Sequence, residues 1–171
     1  MTKRAIIFFS SIIIALIVLY VHINYPLIIM DNQHEVVYWP DEKKYKYNPL
    51  EVFDFSNGDN VAYLLFSRED IKHLPKEMHR CNLFECRDNT ILEDLQNAFL
   101  FIRSDGDMTT CESEILVYKD GKLIFRSGFV LTENTIGIQN SIVGWAYPFY
   151  NDELKKILLK FKPSNNLIIK L

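Results

Sequence analysis

Residues 5 to 21, AIIFFSSIIIALIVLYV, contain no charged side chain and follow directly on Lys3 and Arg4. No other stretch limits the chain so strongly. As a helix these seventeen residues rise about 26 Å, close to the ~30 Å hydrocarbon core of a bilayer. The sequence therefore predicts a transmembrane signal anchor over 5–22, preceded by a short N-terminal segment, 1–4. His22, Asn24 and Tyr25 suit a headgroup layer, and Pro26 ends or kinks the helix. Lys3 and Arg4 precede the run and no lysine or arginine follows until Lys43. By the positive-inside rule the N-terminus is expected in the cytoplasm and the remainder outside, a single-pass topology in a bacterial inner membrane with a periplasmic domain. A cleaved signal peptide shares the order of charge and apolar run. The residues that follow here, Tyr20, Val21, His22 and Ile23, are bulky where a cleavage site needs small side chains, so an uncleaved anchor is expected.

Residues 31–171 leave enough chain for one core of ordinary size. The sequence has 19 basic and 22 acidic residues; without Lys3 and Arg4 the count is 17 against 22, a net charge of −5. That balance solubilises a domain and lacks the basic excess of a nucleic-acid binder. No repeat, low-complexity tract or sustained heptad is visible.

The organisation expected is a tether and irregular segment over 23–60 followed by a globular domain over 61–171. VVYW, 36–39, can form a short strand before Pro40, and Ser56-Asn57-Gly58-Asp59 marks a turn into the strand VAYLLF, 61–66. Ser67 can cap a short helix that ends by Pro75. A longer helix is expected from Thr90, where Thr90 to Glu93 has capping-box form and Ile91, Leu92, Leu95, Ala98, Phe99 and Ile102 make one stripe. EILVYKDGKLIFRS, 114–127, reads as a hairpin about a type I′ turn at Asp120-Gly121, pairing Tyr118 with Leu123, Val117 with Ile124 and Leu116 with Phe125. Both faces are apolar, so the hairpin belongs in the middle of a sheet. Gly128 can bulge or bend the strand that continues through Phe129–Leu131, 136–147 supply one or two further strands, and Leu154, Ile157, Leu158 and Phe161 form the apolar face of a helix capped by Asn151 or Asp152. The terminal LIIKL is expected to add an edge strand. The fold class predicted is α+β: an N-terminal transmembrane helix, then one small domain of mostly antiparallel sheet with two amphipathic helices on one face.

Three cysteines occur, Cys81 and Cys86 in CNLFEC and Cys111. In an oxidising compartment a Cys81–Cys86 disulfide is the favoured expectation, contributing about 2 kcal/mol through so short a loop; pairing of Cys111 with either remains open. His73, His79, Cys81 and Cys86 form a weaker metal alternative, since H-x5-H-x-C-x4-C matches no common zinc spacing. No catalytic residues, cofactor or metal are predicted: the nucleophile-elbow, zincin, P-loop and dinucleotide patterns are missing from the sequence. Asp105-Gly106-Asp107 with Glu112 and Glu114 departs from an EF-hand at its sixth and twelfth positions, Thr110 and Leu116, and reads as a solvated turn.

Aromatic side chains carry the better hint. Trp145, Tyr147 and Phe149, with Tyr150 beside them, have the period of a strand face and are expected in the core, whereas Tyr38, Trp39, Tyr45 and Tyr47 are harder to bury and form the candidate partner-binding strip. The function expected is capture of a protein partner, most concretely as an immunity or inhibitor protein against a toxin or effector acting in the periplasm. The alternatives are an accessory subunit of an envelope complex, or an envelope hydrolase using His73, His79 and the acids near Asp105.

Overall fold

The computed structural model describes residues 3–24, 27–29, 45–78, 81–104, 111–140, 144–164 and 168–170. The chain divides into two compact units, one formed by residues 1–32 with 165–171 and the other by residues 33–164.

The first unit holds the helix α1, Lys3–Asn24, and a two-stranded parallel sheet of β1, Leu27–Ile29, with β11, Ile168–Lys170. Leu27 faces Ile168, Ile28 faces Ile169 and Ile29 faces Lys170. The terminal strand was expected on the edge of the domain's antiparallel sheet; it pairs instead with the segment that follows α1. Among the described residues no helix is long and apolar enough to cross a membrane. The described side chains of α1 run from Ile6 to Tyr20 and are exposed, over a rise of about 22 Å at ~1.5 Å per residue.

The second unit is an α+β domain whose nine-stranded sheet has the order β10-β4-β3-β6-β7-β8-β9-β5-β2, every pair antiparallel. The strands are β2 Lys46–Tyr47, β3 Asn60–Leu65, β4 Leu83–Cys86, β5 Phe101–Arg103, β6 Glu114–Lys119, β7 Lys122–Leu131, β8 Ile136–Asn140, β9 Gly144–Pro148 and β10 Lys162–Pro163. Among the described residues three α-helices accompany them, α2 Arg68–Ile71, α3 Asn89–Ala98 and α4 Asn151–Leu158, with one 3-10 turn at Lys76–Met78. The β6–β7 hairpin is central, as two apolar faces require, and Asp120 and Gly121 take φ of 51° and 74°, the positive values of a type I′ turn.

The pairing of that hairpin departs from the simple count. Tyr118 faces Leu123, but Val117 faces Phe125 and Leu116 faces Arg126, with the irregularity between Val117 and Tyr118. Ile124 is the extra residue of a β-bulge, so Ile124 and Phe125 both enter the core under the helices. The strand then passes Gly128 without a break. Ser67 caps α2 as expected, its hydroxyl accepting from the Asp70 amide. α3 begins one residue before Thr90, because Asp88 is the cap and its Oδ1 accepts from the amides of Thr90 and Ile91. α4 begins at Asn151 with Tyr150 at the cap position and no side-chain cap bond; neither Asn151 nor Asp152 caps it. Its first turn carries Asp152 and Glu153, which offset the helix dipole there.

One face of the sheet packs with Leu92, Leu95 and Ala98 of α3 and Leu154, Ile157 and Leu158 of α4 in a single apolar core. That core extends into the segment expected to be tether: Tyr47, Leu50 and Phe55 are buried in it. Irregular backbone there is held by side chains rather than by ladders. Asn48 Nδ2 donates to the Gln96 carbonyl, and Gln96 Nε2 returns bonds to the carbonyls of Leu50 and Phe53.

Candidate recognition surface

Among the described residues, the end of the sheet formed by β9, β5 and β2 carries the most exposed aromatic cluster of the domain. Alternation along β9 sends Ala146 and Pro148 to the helix-covered face and Trp145 and Tyr147 to the opposite, outer face. Tyr147 faces Ile102 on β5, and Ile102 faces Lys46 on β2, so these three side chains form one cross-strand row on the outer face. Tyr147 is 45% exposed, Phe149 42%, Tyr150 43% and Tyr45 69%.

The cluster is ordered by its own contacts. The Trp145 and Tyr147 rings meet edge to face at 5.2 Å, Phe149 and Tyr150 at 4.8 Å, and the Lys46 ammonium stands 3.7 Å from the Phe149 centroid. Such a cation–π contact at an exposed site is worth about 0.5–1 kcal/mol. It holds an aromatic face and a positive charge at a fixed place. β2 is only two residues long and carries Lys46, two features that blunt an edge against strand addition. Contact with a partner would therefore run through side chains.

Trp145 roots this cluster. It is 1% exposed, and a Cβ on Gly137 would collide with its six-membered ring, so a glycine on β8 is what lets the indole lie against the sheet. Its Nε1 has no hydrogen-bond partner among the described residues. Of the three residues expected in the core, Trp145 alone is buried; Tyr147 and Phe149 lie where the described residues provide no covering layer.

The predicted strip is divided. Tyr38 and Trp39 lie outside the described residues. Tyr45 is exposed, and its carbonyl accepts from the Arg103 amide, which seats it beside the new cluster. Tyr47 is 4% exposed, on the helix-covered face against Phe101, and is a core residue, not a contact residue. Tyr45 sits at a bend just before β2, outside the strand's alternation, whereas within β2 Lys46 and Tyr47 take opposite faces. Burial raises the Tyr47 hydroxyl's pKa against the opposing pull of Arg103, and the hydroxyl has no partner among the described residues.

The cysteines do not form the expected bridge: Cys81, Cys86 and Cys111 are all free. β4 explains this, because Leu83–Cys86 is an extended strand about 10 Å long, and closing a bridge would bend it out of its ladder with β3. Cys81 Sγ instead donates to the Leu83 carbonyl at 2.9 Å. Cys86 is buried, and burial pushes its thiol up. Cys111 lies over Gly128 with Sγ 3.3 Å from Gln139 Oε1, and burial, then the Asp70 carboxylate, raise its thiol too. Thiols raised in this way are poor nucleophiles and poor metal ligands at neutral pH. Among the described residues no three His, Cys, Asp or Glu side chains come together as a metal site; His79 of the metal alternative, and Asp105 and Asp107, lie outside them. His73 is exposed and lines an open hollow of about 380 Å³ with Lys72, Leu74, Thr132, Glu133 and Asn134. Ser113 Oγ donates to Asp70 Oδ2 and accepts from the Ser67 amide, a part-buried link between α2 and the start of β6.

Lys46 and Gly137 had no distinguishing signal in the sequence. A lysine ahead of a tyrosine and a glycine inside a strand acquire their roles only from what lies across the sheet. No protein-family model matches the chain, nor does any curated protein or solved structure.

Proposed function

We propose that the chain is a membrane-anchored, periplasmic protein-binding module, most concretely an immunity or inhibitor protein that neutralises a toxin or effector acting in that compartment. The observation that carries the binding role is the exposed aromatic cluster of Tyr147, Phe149, Tyr150 and Tyr45 with Lys46. Aromatic side chains dominate the binding energy of protein interfaces because they bury large area with few torsions to freeze. Here the rings are also pre-ordered by mutual edge-to-face contact, which lowers the entropy lost on capture. The net charge of −5 beyond Arg4 favours a basic partner and speeds its approach.

Support for the anchor comes from the uncharged run 5–21, its basic flank, and the unbroken helix Lys3–Asn24. A disulfide would have lent support to export; with the cysteines free, export rests on the flanking charge alone. Inhibition needs no cofactor in this scheme, only a surface that occludes the toxin.

The test is binding of the purified full chain to the products of adjacent genes, with the affinity measured by titration. A stoichiometric partner whose dissociation constant rises at least tenfold in a Tyr147→Ala, Phe149→Ala variant that still melts cooperatively is the expected result. A folded chain that binds none of them, or a partner indifferent to both substitutions, would refute the assignment. Replacing residues 1–24 by a cleavable export signal separates an inhibitor, which keeps working, from a subunit that acts through its membrane helix.

A further inference from the structure

The parallel ribbon of β1 and β11 is short, apolar and attached directly to α1. Its six paired residues are Leu27, Ile28, Ile29, Ile168, Ile169 and Lys170, of which all but the last are aliphatic. Parallel pairs are found almost only where both faces are covered, and an isolated two-stranded sheet is marginal in water. Within its own compact unit, α1 is the only other described element. The ribbon therefore needs cover from another source.

We propose that this cover is the lipid surface: the β1–β11 ribbon lies in the headgroup layer where α1 leaves the bilayer, making Ile168–Lys170 a second membrane contact of the chain. This rests on α1 spanning the membrane. β1 starts at Leu27, three residues after α1 ends at Asn24, so the strand begins within about 10 Å of the helix end. Headgroup layers are roughly 5–8 Å deep on each side, so a strand that turns along the bilayer surface at Leu27 lies in or beside that layer. β11 pairs with it residue for residue at the usual strand spacing of about 4.8 Å and is carried to the same depth.

The chemistry of the segment fits that place. Leucine and isoleucine gain by leaving water, but their peptide groups lose hydrogen bonds to it, and a partner strand replaces those bonds. Pairing and lipid burial thus reinforce each other.

The test uses the full chain with its native cysteines. A fluorescent amino acid is introduced singly at position 13, 28 or 169 by stop-codon suppression, with 168 as a second position in the last strand in case the probe at 169 disturbs the ladder. Each protein is reconstituted into phosphatidylethanolamine–phosphatidylglycerol vesicles carrying a nitroxide either on the headgroup or midway along the acyl chain. The expected result is strong mid-chain quenching at 13, and headgroup quenching at 28 and at 168 or 169 that agrees within about a factor of two, as strands ~4.8 Å apart require. Mid-chain quenching at 13 without headgroup quenching at 168 and 169 would overturn the proposal and point to protein as the cover. Absence of mid-chain quenching at 13 would overturn the anchor itself, and with it the proposal.

Discussion

The two faces of the nine-stranded sheet are both largely buried, yet they are closed by different chemistry. On the helix-covered face the closure is apolar throughout: Phe99 meets Phe125 at 5.4 Å and Phe101 at 4.7 Å, and Phe66 meets Phe84 at 6.0 Å. On the outer face Val61, Tyr63, Leu83, Leu116, Tyr118 and Trp145 are buried without joining that core. Polar heads finish the layer above them. Arg87 Nη2 donates to the Tyr63 hydroxyl at 3.0 Å, Arg126 Nη2 to Glu114 Oε1 at 2.8 Å, and Ser164 Oγ to Glu85 Oε2 at 2.8 Å. Tyr63 and Tyr118 meet edge to face beneath them at 5.9 Å. Long amphipathic side chains thus take the place of a second helical layer, with stems on apolar surface and charges at the rim. This closure thins out toward β9, β5 and β2, and the exposed aromatic cluster is found there.

The contrast can be broken most severely from the helix-covered side. Phe125→Ala removes a fully buried ring from the apolar core and should cost about 3–5 kcal/mol in denaturant unfolding. On the outer face, Gly137→Val drives a side chain into the Trp145 ring and should cost about 1–3 kcal/mol. A red-shifted tryptophan emission should accompany it. An unchanged spectrum would mean that Trp145 is not seated on Gly137.

A pH titration sharpens the comparison. The thiols of Cys86 and Cys111 are raised by burial from their usual 9.0, and the Tyr47 hydroxyl from 10.0. Below pH 9 these groups are protonated in both states and the stability is fully present. Above it the unfolded chain releases protons that the folded chain retains, so stability falls as pH rises through the raised values. The melting temperature should drop between about pH 9 and pH 11, and Tyr47→Phe should flatten the upper part of that decline. The smallest stability change, about 1 kcal/mol, is expected for Tyr147→Ala with Phe149→Ala, because the Lys46–Phe149 contact is lost while both rings are already half in water. A large loss of stability there would make them packing residues.

Much of the architecture was legible because it is local. Asp120-Gly121 could only be a tight turn, Leu154, Ile157 and Leu158 could only face one way from a helix, and the two apolar faces of 114–127 required a central hairpin. The departures all involve a choice between distant partners. Whether Ile124 bulges depends on what both faces must bury, so Val117 meets Phe125 instead of Ile124. Asp88, two residues after β4, takes the cap position that Thr90 was expected to hold. Tyr45 and Tyr47 were grouped by type, whereas pairing with β5 placed Tyr47 in the core and left Tyr45 outside. The bridge expected for CNLFEC gave way to an extended strand held by β3, a partner more than fifteen residues earlier in the chain.

By itself the sequence determined the segments: an uncharged apolar run behind two basic residues, an α+β domain with a central hairpin, and two helices with one apolar face each. Those properties follow from periodicity and turn stereochemistry, which act over a few residues. Only the tertiary structure decided which face of β9 is open, which glycine admits Trp145, and that Ile168–Lys170 returns to pair with Leu27–Ile29 rather than with the domain's sheet. A strand's hydrogen-bonding groups are identical along its length, so its partner is selected by the burial of whole faces, a quantity that exists only once the chain has folded.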